Sequence, residues 1–154
     1  MAGDIEFMRR ALILAQRAAE EGEVPVGAVL VRSGQVLGEG WNRPIALSDP
    51  SAHAEMLALR AAAAALGSYW LLDCELFVTL EPCAMCAGAA INARVARIVF
   101  GAWDAKAGAC GSVFDLPRER RLNHRPDVFG GVLADECGAR LKRFFAERRG
   151  SCAP

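Results

Sequence analysis

Residues 79–89 read TLEPCAMCAGA and place Cys83 and Cys86 three positions apart, directly after an apolar stretch and a proline. The spacing predicts that both thiols lie on the first turn of a helix that opens at the end of a strand. Side chains at i and i+3 share one side of that turn. The partial positive charge of a helix N-terminus favours thiolates. Two thiolates so placed can clamp one metal ion, and zinc takes thiolate and imidazole ligands tetrahedrally. The chain has only two histidines, His53 in SAHAEM and His124 in LNHRPD. Of these, His53 also opens a helix after a strand and loop, which makes it the expected third ligand. Glu55 stands two residues on, where the loose geometry of a helix entry lets it reach the same pocket. Three protein ligands leave zinc an open position for water, the catalytic pattern. Glu55 would then move protons.

Other readings stand beside this one. The thiols could form a redox disulfide, which would leave the His-x-Glu pair idle. A structural zinc site would need a fourth protein ligand, for which Cys74 or His124 is available. Glu55 could be an ordinary acid on a helix surface. Cys74, Cys110, Cys137 and Cys152 are scattered singly and read as unreactive small residues.

The elements that must carry these groups follow from periodicity. Asp4 is expected to cap a first helix reaching about Glu21, with Ile5, Met8, Leu12, Ala15 and Ala19 on one apolar face and Gly22 ending it. The run VPVGAVLV (24–31), the turn SGQ (33–35) and VLGEGW (36–41) read as a hairpin. NRPIALSDPS is a loop broken by prolines. A helix is expected from about Ala52 to Leu66, a buried strand at 75–80, and a helix from Cys83 to about Asn92. A strand at 96–102, a long loop and a strand near 127–133 follow. Asp135 is expected to cap a last helix to about Arg149. Alternating strands and helices predict a three-layer α/β/α domain, its first two strands antiparallel and the later ones parallel. Helix N-termini then gather at one end of the sheet, where ligands bind in such folds.

At 154 residues the chain fits a single domain, 1–154, large enough to fold without a disulfide staple. No signal peptide or membrane-length apolar run is expected, so the reading is a cytoplasmic protein with mainly reduced cysteines. Net charge is zero but uneven, −5 over residues 1–93 and +5 over residues 94–154. A neutral total speaks against a generic nucleic-acid binder. The basic second part, in which arginine predominates, still allows a local phosphate-binding face. An ordinary solvated helix surface would look the same.

HAE followed by PCAMC matches the H-x-E…P-C-x-x-C signature already known for zinc nucleobase deaminases. Together with EVPVGAVLV, GEGWNRPI, DPSAHAEM, GAWDAKAGACGS, LNHR and LADECGARLKRFF, it makes the chain, from about Glu6 to Arg149, resemble the bacterial tRNA-specific adenosine deaminases. These belong to the zinc-dependent cytidine/deoxycytidylate deaminase superfamily. The resemblance implies a cytidine-deaminase-like α/β/α fold with a mixed five-stranded sheet. It implies one zinc per chain on His53, Cys83 and Cys86, with Glu55 as proton shuttle. Asn42 and the backbone at Ala54 would contact a flipped base. Asp104, Lys106, Phe144 and Phe145 would lie near the RNA. The partners implied are a tRNA anticodon stem-loop and a second copy in a homodimer. The implied reaction is hydrolysis of the wobble adenosine to inosine. Deaminases of free guanine, cytosine or nucleosides share such a site and are the nearest alternative. A silent zinc-stabilised RNA-binding module is another. The basic last helix separates the first of these from a tRNA enzyme, and Glu55 argues against the second.

Overall fold

The β-hairpin is the seed of the architecture. In the computed structural model, which describes residues 2–151, β1 (Gly27–Arg32) turns into β2 (Gln35–Trp41) through Ser33 and Gly34. Both turn residues have positive φ, 51° and 78°, the primed two-residue turn whose twist suits a hairpin. β3 (Cys74–Leu80) pairs antiparallel with the other edge of β1. β4 (Arg97–Ala102) and the short edge strand β5 (Asp127–Gly130) then add in parallel. The sheet is mixed and five-stranded, in the order β2-β1-β3-β4-β5. Because β2 and β3 both run antiparallel to β1, their C-terminal ends lie at the same end of the sheet. That is the topological reason two distant helix starts meet.

Two helical layers cover the sheet. α1 (Ala2–Glu20) and α5 (Ala134–Ser151) lie on one face, α3 (Ala54–Leu66) and α4 (Ala84–Asn92) on the other. The strands serve both layers by simple alternation. Ala28, Leu30, Leu76, Val78, Ile98 and Phe100 pack towards α3 and α4, while Val29, Val31, Phe77 and Val99 pack towards α1 and α5. A one-turn helix α2 (Pro44–Leu47) interrupts the loop after β2. β2 meets α3 through small residues. A Cβ on Gly38 would fall on the Ala58 carbonyl and 2.7 Å from the Ala62 nitrogen, and one on Gly40 on the Ala54 carbonyl and 2.8 Å from the Ala58 nitrogen. Alanines on the helix and glycines on the strand therefore let α3 lie against the sheet, which fixes where its first turn sits.

Several local expectations need correction. Asp4 is not a cap: α1 begins at Ala2, and the Asp4 carboxylate receives Arg97 Nη1 at 2.9 Å and Nη2 at 2.6 Å. Ile5 is 45% exposed; the buried stripe is Met8, Ala11, Leu12, Ala15 and Ala18. Val24–Val26 is not strand, since the Val26 amide turns back to the Val24 carbonyl. The last strand stops at Gly130, after which Gly131 (φ 94°) and Leu133 (φ 54°) turn the chain. Asp135 sits inside the first turn of α5 rather than before it. Cys74, Cys83, Cys86, Cys110 and Cys137 are free thiols, and Cys152 lies outside the described residues. Among the described residues no helix is long and apolar enough to cross a membrane.

Candidate active site

Each half of the site is a strand end followed by a helix start. After β2 the chain passes Asn42 and the α2 loop and enters α3 with His53 as the N-cap residue. After β3 it passes Glu81 and Pro82 and enters α4 with Cys83 as the N-cap residue and Cys86 on the first turn. The His53 side chain makes no capping bond to its own helix. The two cap side chains turn towards each other. His53 Nδ1 lies 3.6 Å from Cys83 Sγ and 3.4 Å from Cys86 Sγ.

Those distances are a test of metal fit. A tetrahedral zinc with ordinary bond lengths holds an imidazole nitrogen and a thiolate sulfur about 3.6 Å apart. The three donors therefore already stand at ligand spacing, all within 4.8 Å of one another. They are the only such group among the described residues. The remaining candidates point elsewhere: Cys74 Sγ faces the Leu72 carbonyl at the opposite end of β3, and His124 Nε2 meets the Val95 carbonyl at 2.6 Å. No fourth protein ligand is present among the described residues, and Cys83 and Cys86 form no disulfide.

The thiols differ in proton affinity. Cys83 is lowered to about 3, first by the hydrogen bond from Cys86 and, against burial, by His53. Cys86 is raised, first because it donates to Cys83, then by burial and the nearby Glu55 charge. Deprotonation is thus favoured at Cys83 and opposed at Cys86, and a divalent cation on both sulfurs would displace the thiol proton. His53 is raised by its hydrogen bond to Cys83, against its own burial. Glu55 is 4% exposed, and burial pushes its carboxyl above the usual range.

A cavity of about 150 Å³ opens on this group, walled by Val24, Asn42, Leu80, Asp104 and Ala107 as well as His53, Glu55 and Cys83. It is smaller than the ~300–1,000 Å³ of pockets for drug-sized ligands and suits a single planar ring system. Asn42 Oδ1 accepts the Ala54 amide at 2.8 Å, which joins the two expected base-contacting groups at the cavity wall. Asp104 also lines the cavity, but its Oδ1 accepts the amides of Lys106 (3.0 Å) and Ala107 (3.1 Å). Lys106 is exposed. Phe144 and Phe145 pack edge to face at 5.4 Å and line an adjoining cleft of about 300 Å³ that also includes Asn42 and Val24. Phe144 is buried, with the Arg148 guanidinium 4.6 Å above its ring, and Phe145 is exposed. A larger groove of about 520 Å³, lined by Arg118, Arg120 and Arg125, contains neither histidine nor cysteine. Chemistry is assigned to the smaller cavity because the metal donors and the buried acid are there.

Sequence reasoning missed Glu81. It is 2% exposed and accepts the backbone amides of Asp104, Cys110 and Ser112, each at 3.0 Å, together with the Ser112 hydroxyl. Burial opposes its ionisation, but these donors outweigh it and hold the carboxyl below the usual range. The available signal was an acid ending an apolar strand, immediately before the Pro-Cys pair.

Comparison with known proteins matches this geometry. The chain is 52% identical over 147 residues to a tRNA-specific adenosine deaminase of Haemophilus influenzae, covering 95% of this chain and 85% of that protein. It superposes with a TM-score of 0.86, at 43% identity, on a structure from work on A-to-I editing by tRNA:A34 deaminases at the wobble position of transfer RNA. That match covers 88% of this chain and 99% of the other. A guanine deaminase of Nitrosomonas europaea matches at 31% identity and a TM-score of 0.77, over 92% of this chain and 84% of its own. The family model of the cytidine and deoxycytidylate deaminase zinc-binding region matches residues 1–102, a span that contains Asn42, His53, Glu55, Cys83 and Cys86. With the donor set, the buried acid and the fold agreeing with that match, the chain belongs to the cytidine and deoxycytidylate deaminase zinc-binding family.

Proposed function

We propose that this chain converts adenosine to inosine at the wobble position of a tRNA anticodon, by hydrolysis. The observation that carries the reading is the placement of Glu55, a nearly fully buried carboxyl, beside three donors already at zinc-ligand spacing. His53, Cys83 and Cys86 would hold one zinc. Zinc held there would supply a Lewis acid able to lower the pKa of water to about 7. Glu55 takes a proton from the water and delivers it to N1 of the purine. As the C6–O bond forms, Glu55 carries the second proton to the amino nitrogen, and the C6–N bond breaks to release ammonia. The balance is adenosine plus water to inosine plus ammonia.

Asn42 and the Ala54 backbone orient the base. Asp104, Lys106, Phe144 and Phe145 lie on the side from which RNA approaches. A base within a duplex could not enter a cavity this narrow, so an unpaired loop nucleotide is the fitting substrate. The +5 balance of residues 94–154 suits a phosphate-bearing partner. The working unit is one domain spanning 1–154, acting as a homodimer in the cytoplasm. The guanine-deaminase likeness supports a second reading, a free-base enzyme with the same chemistry. Zinc-loaded protein is incubated separately with an anticodon stem-loop carrying a wobble adenosine, with adenosine and with guanine, while ammonia and RNA mass are followed. The expected result is a one-dalton gain confined to the wobble position. Turnover of guanine with unaltered RNA would transfer the assignment to the free-base enzyme.

A further inference from the structure

Glu81 has four donors and no counter-charge. Its Oε1 accepts the Asp104 amide and the Ser112 hydroxyl, and its Oε2 accepts the amides of Cys110 and Ser112. Among the described residues it forms no ion pair. The main chain beside it is tied to the same segment. The Glu81 amide donates to the Ala102 carbonyl at 2.8 Å, and the Pro82 carbonyl accepts the Ala109 amide at 2.8 Å. Gly108 passes so close that a Cβ there would fall on the Glu81 carboxylate. The loop 104–112 therefore hangs on the two residues that lead into Cys83, one of the three metal donors. Its Asp104 and Ala107, together with Glu81, form part of the cavity wall.

Donors at both oxygens explain why the residue is an acid. A carboxylate offers acceptor sites on two oxygens, whereas a glutamine offers one oxygen and places an N–H₂ group against the remaining donors. Hydrogen bonds to an ionised acceptor are also the stronger kind.

We propose that Glu81 is a positioning residue for substrate: it draws loop 104–112 onto the end of β3 and so sets the wall of the base cavity that faces the metal donors. The role rests on the deaminase reading for the identity of the substrate, but the anchoring of the loop does not.

The test compares full-length Glu81→Gln, Glu81→Asp and Ser112→Ala with the unaltered protein. Zinc per chain, amide hydrogen exchange in 104–112, and kcat and KM on the anticodon stem-loop are measured. Glu81→Gln is expected to keep one zinc per chain. Its amides at Asp104, Cys110 and Ser112 should exchange at least about tenfold faster, and KM should rise about tenfold with a smaller change in kcat. Glu81→Asp, which keeps both oxygens on a shorter arm, should restore part of the KM loss. A role confined to stability would lower Tm and leave KM unchanged, and that result overturns the proposal. If Glu81→Gln does not fold, Ser112→Ala removes a single hydroxyl donor and should still raise KM about threefold; unchanged KM and exchange there also overturn it. Failure of the unaltered protein to deaminate the stem-loop would refute the substrate reading instead. The exchange data would then decide the anchoring alone, and unchanged protection in Glu81→Gln would overturn it.

Discussion

Arg97→Ala should cost more stability than any ordinary surface substitution on this protein. The guanidinium donates twice to Asp4, at 2.9 and 2.6 Å, and through Nε to Glu75 at 2.5 Å. It also lies 5.7 Å from the ring centre of Phe77 and 5.4 Å from that of Phe129. The side chains of Arg97 and Asp4 are 18% and 12% exposed, so the pair is neither a surface ion pair nor a fully buried one. Removing one partner of a buried pair costs ~3–5 kcal/mol, and an exposed pair is worth ~0.2–1 kcal/mol. The intermediate burial places Arg97→Ala at about 2–3 kcal/mol, a Tm fall of about 4–12 °C for a chain of this length. Hydrogen bonding to Arg97, against the effect of burial, holds the Asp4 carboxyl below its usual range. A depressed carboxyl contributes stability that is complete above its unfolded value of about 4 and is lost as pH falls through the lower folded value. The gap between unaltered protein and variant should therefore be full at pH 7 and close progressively as the pH drops below about 4. Calorimetric melts at several pH values, with Asp4→Asn and the double variant completing a cycle, measure both effects. A Tm loss below about 1 °C, or a gap that stays constant down to about pH 3, would refute a stabilising Arg97–Asp4 pair.

Glu55→Gln should reduce deamination by at least ~10²–10⁴-fold while zinc stays at one per chain; a variant with near-normal turnover removes Glu55 from proton transfer. Gly40→Ala should destabilise by about 1–3 kcal/mol, because its Cβ meets the Ala54 carbonyl and the Ala58 amide. Gly88→Ala, inside α4 with nothing within 4 Å of the new Cβ, should instead stabilise by about 0.5–1 kcal/mol, and chemical melts of both variants check the contrast. Replacing Lys142, Arg143 and Arg149 together by Ala should weaken stem-loop binding. The slope of log affinity against log salt should flatten by about 0.7–0.9 for each phosphate that is no longer neutralised. Equal affinities and slopes at two salt concentrations would mark these residues as plain helix surface.

Much of the site was legible because its grammar is local. A proline and two cysteines three apart at the end of an apolar run specify a strand, a helix start and a pair of thiols on one turn. A histidine and a glutamate at a second helix start supply the rest; His53, Cys83 and Cys86 lie together, and Glu55 lines the same cavity. Apolar runs bounded by turn residues likewise located most of the strands, since both signals lie between neighbours along the chain.

What the sequence could not specify depends on residues far apart in the chain. His53 and Cys83 meet because β2 and β3 both run antiparallel to β1, a pairing that no short window encodes. Asp4 looks like a helix cap until the fold brings Arg97, 93 positions away, onto its carboxylate. Ile5 matches the helical period, yet the apolar stripe that meets the sheet runs from Met8 through Ala18 and leaves it outside. Glu81 looks like any acid at a strand end until a loop 23–31 residues further on turns its donors inward. Local propensity and spacing choose the elements and the reactive side chains. Strand pairing and the docking of helices and loops choose which of them share a cavity, because those energies arise between surfaces that only the folded chain brings together.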